Sequence, residues 1–242
     1  MNGQAPRILV LTGAGVSAES GLGTFRDVDG LWTKYDLNEV ATPEGFARNP
    51  DLVYSFYNAR RENLVKAEPN PAHYALARLQ QALREAGGKL TMVTQNIDDL
   101  HEQAGAEDVI HMHGELLKSR CLSCGAIANW REALDASHPC AACGGQMRPH
   151  VVWFGEMPLQ LDRIERELSS ADLFVSIGTS GSVYPAAGYV AMASEMGLPC
   201  VELNLEPSEN NYLFTEKCYG PASEVVPAWV KDLLDSIQES RS

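Results

Sequence analysis

RILVLTGAGVSAESGLGTFR, residues 7–26, is the stretch on which the fold turns. It opens with a short apolar run of strand length, residues 7–11, and continues into Gly13-Ala14-Gly15-Val16-Ser17-Ala18, which fits G-x-G-x-x-A. Glycines placed after a strand let backbone N–H groups approach a pyrophosphate at the N-terminus of a following helix. A Gly-rich turn can also do no more than close a loop. From Ala18 to Trp32 the chain is rich in Gly and Asp and has no apolar periodicity. A dehydrogenase-type site needs a second strand here, ending in an acid about 20 residues on. Leu31-Trp32-Thr33-Lys34-Tyr35 has no strand pattern, which argues against an NAD-dependent oxidoreductase.

Further strand candidates cover residues 90–94, 109–112, 173–177 and 200–203. They alternate with helix candidates over 50–66, 71–86, 158–169, 184–196 and 227–240, each with proline at its start or one residue inside, where a missing N–H costs least. Alternation of this kind predicts an α/β fold, a Rossmann-like and mostly parallel sheet. The pattern breaks around the cysteines, so the expected organisation is one domain over residues 1–242 with a small inserted lobe at 115–150. A chain of 242 residues, 45% apolar, can bury a core of that size. Its formal charge of −13 opposes nucleic-acid binding and a basic zinc-ribbon adaptor, and favours basic partners. Apolar runs such as 8–11 and 151–154 are too short for a bilayer, and no signal-like segment precedes the first strand. The expectation is a cytoplasmic monomer with no membrane or nucleic-acid partner.

Cys121-x-x-Cys124 and Cys140-x-x-Cys143, with residues 125–139 between them, have zinc-ribbon spacing. Two tight turns can each offer two thiolates, completing a tetrahedron with no open position, so one structural Zn²⁺ is expected. His138, beside Cys140, could stand in as a ligand but reads rather as a surface residue, and Cys200 and Cys218 read as small buried apolar ones. Three polar segments fall just past strand candidates, where open α/β sheets bind ligands. They are Gln95-Asn96-Ile97-Asp98, Gly178-Thr179-Ser180 and Asn204-Leu205-Glu206. Each alone suits helix capping or a turn; together with the glycine turn they point to a nucleotide.

These residues, with His113-Gly114, Phe154-Gly155-Glu156 and Gly220-Pro221-Ala222, stand in sirtuin order, and the chain resembles that family over nearly its whole length. It is most similar to the compact bacterial members and the desuccinylase-like class. The resemblance implies an NAD-dependent protein deacylase that removes acetyl and succinyl groups from lysines, releasing nicotinamide and O-acyl-ADP-ribose. Sirtuin-type ADP-ribosyl transfer to protein stays open as an alternative. It further implies that NAD is held by Gly13, Ala14, Gly15, Ser17, Ala18, Glu19, Thr24, Phe25, Arg26 and Trp32. The same role extends to Gln95, Asn96, Ile97, Asp98, Gly178, Thr179, Ser180, Asn204, Leu205, Glu206 and Ala222. A peptide would add as a strand between Phe154, Gly155 and Glu156 on one side and Gly181 and Val183 on the other.

His113 takes the role of base by the same resemblance, activating a ribose hydroxyl once nicotinamide has left. Histidine suits this task because its ordinary pKa lies near working pH. Two-residue periodicity places His111 on the same side of the strand, and Gly114 together with the family pattern selects His113. Glu115 follows where many members carry Ser, outside the catalytic pair. Tyr57 and Arg60, three apart on a predicted helix, share a face. Their residue types also fit ordinary packing and solvated charge. With Ala41 they are similar to the desuccinylase-like class, in which the Tyr and Arg bind the distal carboxylate of a succinyl-type group and the small Ala leaves room.

Overall fold

In the computed structural model, which describes residues 5–23 and 35–239, the chain enters through β1 (Arg7–Thr12) and two 3₁₀ turns, Ala14–Val16 and Ala18–Ser20. Then come α1 (Leu37–Val40), α2 (Pro43–Arg48), α3 (Pro50–Leu64) and α4 (Pro71–Glu85). Side chains of Asp36, Thr42, Asn49 and Asn70 cap these four helices in turn, and proline stands in the first turn of the last three. Next are β2 (Lys89–Thr94), α5 (Leu100–Gln103) and β3 (Ile110–His111). A small antiparallel sheet follows, made of β4 (Gly114–Cys121), β5 (Ile127–Asn129) and β6 (Met147–Val151). The chain returns through α6 (Leu161–Ser169), β7 (Leu173–Ile177), α7 (Tyr189–Glu195), β8 (Cys200–Asn204), β9 (Glu216–Tyr219) and α8 (Ala222–Glu239).

The main sheet is parallel throughout, in the order β3-β2-β1-β7-β8-β9. This is the doubly wound order, and the direction of winding reverses between β1 and β7. Alternation along the strands divides the core in two. Ile8 and Val10 of β1 face α4 and α8, among Leu76, Leu79, Leu83 and Val226. Leu9 and Leu11 face the other way, onto Ile164 and Leu168 of α6 and Tyr189 and Val190 of α7. A third cluster joins Val53, Tyr54, Phe56 and Tyr57 of α3 to Leu116 and Leu117 of β4, Met147 and Val151 of β6, and Trp153. The cysteine sheet and α3 therefore share one core. Arg61, 2% exposed, adds to the join by donating to the Leu116 carbonyl at 3.2 Å and to Asn58 at 2.7 Å. Among the described residues no helix is long and apolar enough to cross a membrane.

Several boundaries differ from expectation. β3 keeps only two of the residues 109–112, because the chain leaves the sheet at His111 to enter the small one. α6 starts at Leu161 rather than at 158, and α7 at Tyr189 after a 3₁₀ turn rather than at 184. α8 begins at Ala222, five residues before expected, and runs through Pro227. Val225 and Val226 are buried against the sheet, and that packing outweighs the one backbone bond the proline removes.

Candidate active site

β1 and β7 lie side by side, with Thr12 opposite Ile177, so the turns leaving them meet at the switch point. Gly13 N–H donates to the Ile177 carbonyl and Gly15 N–H to the Gly178 carbonyl, both at 2.9 Å. A Cβ on Gly15 would stand 2.6 Å from the Gly178 Cα, and Gly178 itself has φ +63°. The two turns can touch only because both are glycine. No α-helix opens here, where a dinucleotide fingerprint ordinarily leads into one. Asn70 Nδ2 takes the Val16 carbonyl at 2.8 Å, an acceptor that a continuing helix would need, and Gly21 at φ +81° ends the second 3₁₀ turn. The turn is closed instead by Glu19, whose carboxylate accepts from Ser223 N and Oγ at 2.8 and 2.6 Å, beside Ala222 at the start of α8.

Beneath the turn lies a buried polar floor. Asn96 donates to the Gly13 carbonyl and to Ser17 Oγ, each at 3.1 Å, and Ser17 Oγ donates to Asp98 Oδ2 at 3.1 Å. Burial pushes the Asp98 carboxyl up, with the Leu100 N–H and Ser17 pulling against it. Two histidines that the sequence reading passed over lie behind: His73 Nε2 is 3.4 Å from Ser17 Oγ, and the His73 and His101 ring centroids are 4.9 Å apart. Burial drives His73 down to about 4, and His101 well below its ordinary value, so both are neutral imidazoles near pH 7. The start Asn70-Pro71-Ala72-His73 carried the signal for His73, because its side chain closes a capping box on the Asn70 N–H. At the next strand end, Asn204 Nδ2 donates to the Thr179 carbonyl at 2.7 Å, joining the turns after β7 and β8 and leaving Leu205 and Glu206 exposed. Thr24, Phe25, Arg26 and Trp32 lie outside the described residues.

His113 follows β3, above the end of β2, with Nδ1 3.0 Å from the Gln95 carbonyl oxygen. A carbonyl only accepts, so Nδ1 carries the proton and Nε2 keeps its lone pair. Burial lowers the His113 pKa, partly offset by the Gln95 carbonyl, and the ring is therefore a neutral base. Gly114 takes φ +81°, and any Cβ there would stand 2.2 Å from the His150 carbonyl, so only glycine allows the chain to cross into the small sheet directly after His113. His111 differs: its Nε2 meets Glu102 Oε1 at 2.6 Å and its Nδ1 faces the Asn96 carbonyl at 3.4 Å. Burial pulls His111 down, but the hydrogen bond and charge of Glu102 raise it on balance. The two-residue periodicity that paired these histidines stops where β3 stops.

Tyr57 and Arg60 lie together on α3, Ala41 and Phe154 meet through their backbones, and Val152, two residues before Phe154, donates its N–H to the His113 carbonyl at 2.9 Å. Tyr57 is 1% exposed and its hydroxyl accepts from Trp153 Nε1 at 2.9 Å. The Arg60 guanidinium lies 5.7 Å from the Phe56 ring centroid and 5.8 Å from that of Tyr57; burial lowers its pKa, against the pull of Tyr57 and Asp98. The buried Ala41 gives its carbonyl to Phe154 N–H at 2.9 Å. Phe154 is 53% and Val183 40% exposed, while Gly155 and Gly181 take φ +87° and +74°. The Glu156 side chain turns inward to Arg148: Oε1 accepts from Nη1 at 2.7 Å, and Oε2 from Nη2 at 2.9 Å and from Trp153 N–H at 2.8 Å. Arg148 and Trp153 are not among the residues singled out from sequence.

In the small sheet the four cysteine sulfurs lie within 4.8 Å of one another. Cys121 and Cys143 Sγ are 3.5 Å apart, and Cys124 and Cys140 Sγ 3.7 Å. A tetrahedron with Zn–S of about 2.3 Å has edges of about 3.8 Å, so the cluster fits one Zn²⁺. Ser123 and Cys124 N–H both point at Cys121 Sγ, at 3.3 and 3.5 Å, as suits a thiolate ligand. His138 bonds Asp135 at 2.8 Å and stays out of the cluster. Cys200 is buried as expected, but Cys218 is exposed, because β9 is the edge strand and carries no buried face.

A doubly wound sheet with a glycine-lined switch point, a neutral histidine above it and a four-cysteine lobe defines a class: a dinucleotide-using α/β enzyme with a zinc lobe inserted in the sheet domain. Comparison with known proteins narrows it. The Sir2 family pattern matches residues 13–185. An NAD-dependent protein deacylase of Caulobacter vibrioides is 66% identical over 94% of this chain and 97% of its own, and one of Escherichia coli is 56% identical over 97% and 85%. The solved complex of a Sir2 homologue with NAD superposes with TM-score 0.86 at 39% identity, covering 98% of this chain and 91% of that one. This chain belongs to the Sir2 family.

Proposed function

We infer that the chain removes acyl groups from protein lysines at the expense of NAD, and that acetyl and succinyl groups are both accepted. The observation that carries this reading is His113, with its proton held on Nδ1 by the Gln95 carbonyl and its Nε2 left as a base above a glycine-lined nucleotide turn. The close contact of Gly15 with Gly178, which a Cβ would break, and the buried amide and carboxylate of Asn96 and Asp98 suit a dinucleotide. NAD, when bound, supplies a ribose carbon bearing nicotinamide as its leaving group, open to attack by the acyl oxygen. His113 then takes a ribose hydroxyl proton at Nε2, and Asn96 and Asp98 orient the polar groups around it. Phe154 and Val183 form the two walls between which the peptide adds as a strand. Ala41, Tyr57 and Arg60 bound the far end of the acyl pocket, where a planar guanidinium and a hydroxyl match a carboxylate. Cys121, Cys124, Cys140 and Cys143 would hold Zn²⁺ with no open position, so the metal supports the lobe and takes no part in the reaction. We propose further that the protein works as a cytoplasmic monomer.

His113→Ala tests the assignment. The wild type is expected to release one nicotinamide per acyl group removed, and the variant to fold but lose at least about 10²–10⁴-fold in turnover, the usual worth of a general base. Because burial lowers the His113 pKa, the acid limb of kcat/KM is expected to fall below about 6.5. Normal turnover by a folded His113→Ala protein would remove His113 from the mechanism.

A further inference from the structure

We propose that Trp153 is a positioning residue for acyl selectivity: its indole N–H holds the Tyr57 hydroxyl so that the phenolic proton is offered to the distal carboxylate of a succinyl-type group. The inference rests on the reading of Tyr57 and Arg60 as the carboxylate-binding pair. An indole nitrogen only donates, so at 2.9 Å the Tyr57 oxygen must accept. Its own proton is then directed elsewhere, and among the described residues no acceptor takes it. A free phenol could rotate its proton or turn a lone pair toward an incoming carboxylate; this one has the wrong orientation blocked.

The indole is itself held on three sides. Its backbone N–H is bound by Glu156 Oε2 at 2.8 Å, its ring packs on Phe46 at 5.3 Å between centroids, and the Arg148 guanidinium covers its face at 3.3 Å. Arg148 is 2% exposed and fixed by both Glu156 oxygens and by the Val151 carbonyl at 2.7 Å. A cation over the ring face draws on its π density and makes the N–H a stronger donor. A hydroxyl that accepts a strong hydrogen bond becomes in turn a stronger donor, since such chains polarise cooperatively. Arg148, Trp153 and Tyr57 thus form a relay of orientation that ends beside Arg60, whose guanidinium lies 5.8 Å from the Tyr57 ring centroid. Burial keeps the Tyr57 phenol protonated, as the relay requires. Simple packing would need no polar atom at this place, and burying an indole N–H and a phenol has a cost that their mutual bond offsets.

The test measures kcat/KM on matched succinyl- and acetyl-lysine peptides for the wild type, Trp153→Phe, Tyr57→Phe and the double variant. Trp153→Phe is expected to lower the succinyl-to-acetyl ratio about three- to tenfold, the worth of one net hydrogen bond. The loss should appear in KM for the succinyl peptide, because the carboxylate contact is the same in ground and transition states. The double variant should be no worse than Tyr57→Phe alone, since both remove one coupled contact. Losses that multiply, or an equal fall in kcat on both peptides, overturn the proposal. If Tyr57→Phe leaves the ratio unchanged, the carboxylate-pocket reading fails and the proposal with it; a Tyr57 effect without a Trp153 effect refutes only the positioning. Should Trp153→Phe not fold, 3-benzothienylalanine at position 153 keeps the ring shape without the N–H and decides the matter on the same ratio.

Discussion

Replacing Glu156 by Gln would disturb the join between the segment after β6 and the cysteine sheet with little change in shape. In the native protein both carboxylate oxygens meet Arg148, at 2.7 and 2.9 Å, and Oε2 also accepts from Trp153 N–H. Gln keeps one acceptor but turns an NH₂ toward two N–H donors wherever Oε2 stood. Removing one partner of a buried ion pair costs about 3–5 kcal/mol. The retained acceptor and the 22% exposure of the Glu156 side chain place the expectation near the lower end, about 3 kcal/mol. For a chain of this size that corresponds to a fall in Tm of about 6–12 °C. The pH dependence follows from the direction of the shift. Burial pushes the Glu156 carboxyl up, but the hydrogen bonds from Arg148 and Trp153 N–H and the Arg148 charge hold it below its ordinary value. A carboxyl depressed on folding contributes stability above its unfolded pKa and loses it as pH falls through the folded one. The gap between wild type and Glu156→Gln in urea denaturation should be full at pH 7 and narrow below about pH 4.5. Equal midpoints at pH 7, or a gap that does not narrow on acidification, would refute the reasoning.

Two further outcomes are expected. Arg60→Met should lower the succinyl-to-acetyl kcat/KM ratio by roughly 30- to 900-fold, about 2–4 kcal/mol for truncating one side of a desolvated charge pair; an unchanged ratio would make Arg60 structural only. Metal analysis should find one zinc per chain, and chelation or Cys121→Ala should unfold the cysteine sheet because metal binding is coupled to folding; a protein without zinc, with all its thiols freely reactive, would overturn that.

The main sheet was legible because its strands are short apolar runs whose two faces are both covered, so each reads as a block. β9 was not, since its residues Glu216, Lys217, Cys218 and Tyr219 are all exposed and it has no apolar face to mark it. The small helices α1 and α2 were hidden by their length; only the caps at Asp36 and Thr42 mark them, and a cap without periodicity reads as a turn. The start of α8 was set by the burial of Val225 and Val226, a tertiary fact that no local signal at Pro227 could reveal.

The site divides along a similar line, between what is local and what is not. Residues at strand ends declare themselves, because a glycine or amide directly after a strand already lies on the binding edge of the sheet. The support behind them does not. Glu156 was legible as part of a peptide-flanking motif, yet its side chain turns back onto Arg148 of β6, eight positions earlier, which no motif marked. Tyr57 was legible as a helical neighbour of Arg60, yet its hydroxyl is governed by Trp153, almost a hundred positions away. Trp153 is brought near Tyr57 by α3 packing on the cysteine sheet, which is a property of the shared core and of no motif. On the proposed role of Tyr57, that core links the zinc lobe to selectivity: whatever loosens the four-cysteine sheet also loosens Arg148 and Trp153, and through them the orientation of Tyr57. Loss of metal should accordingly lower the succinyl-to-acetyl ratio before it abolishes turnover, because the carboxylate contact depends on the small sheet while His113 is held by the Gln95 carbonyl at the end of β2.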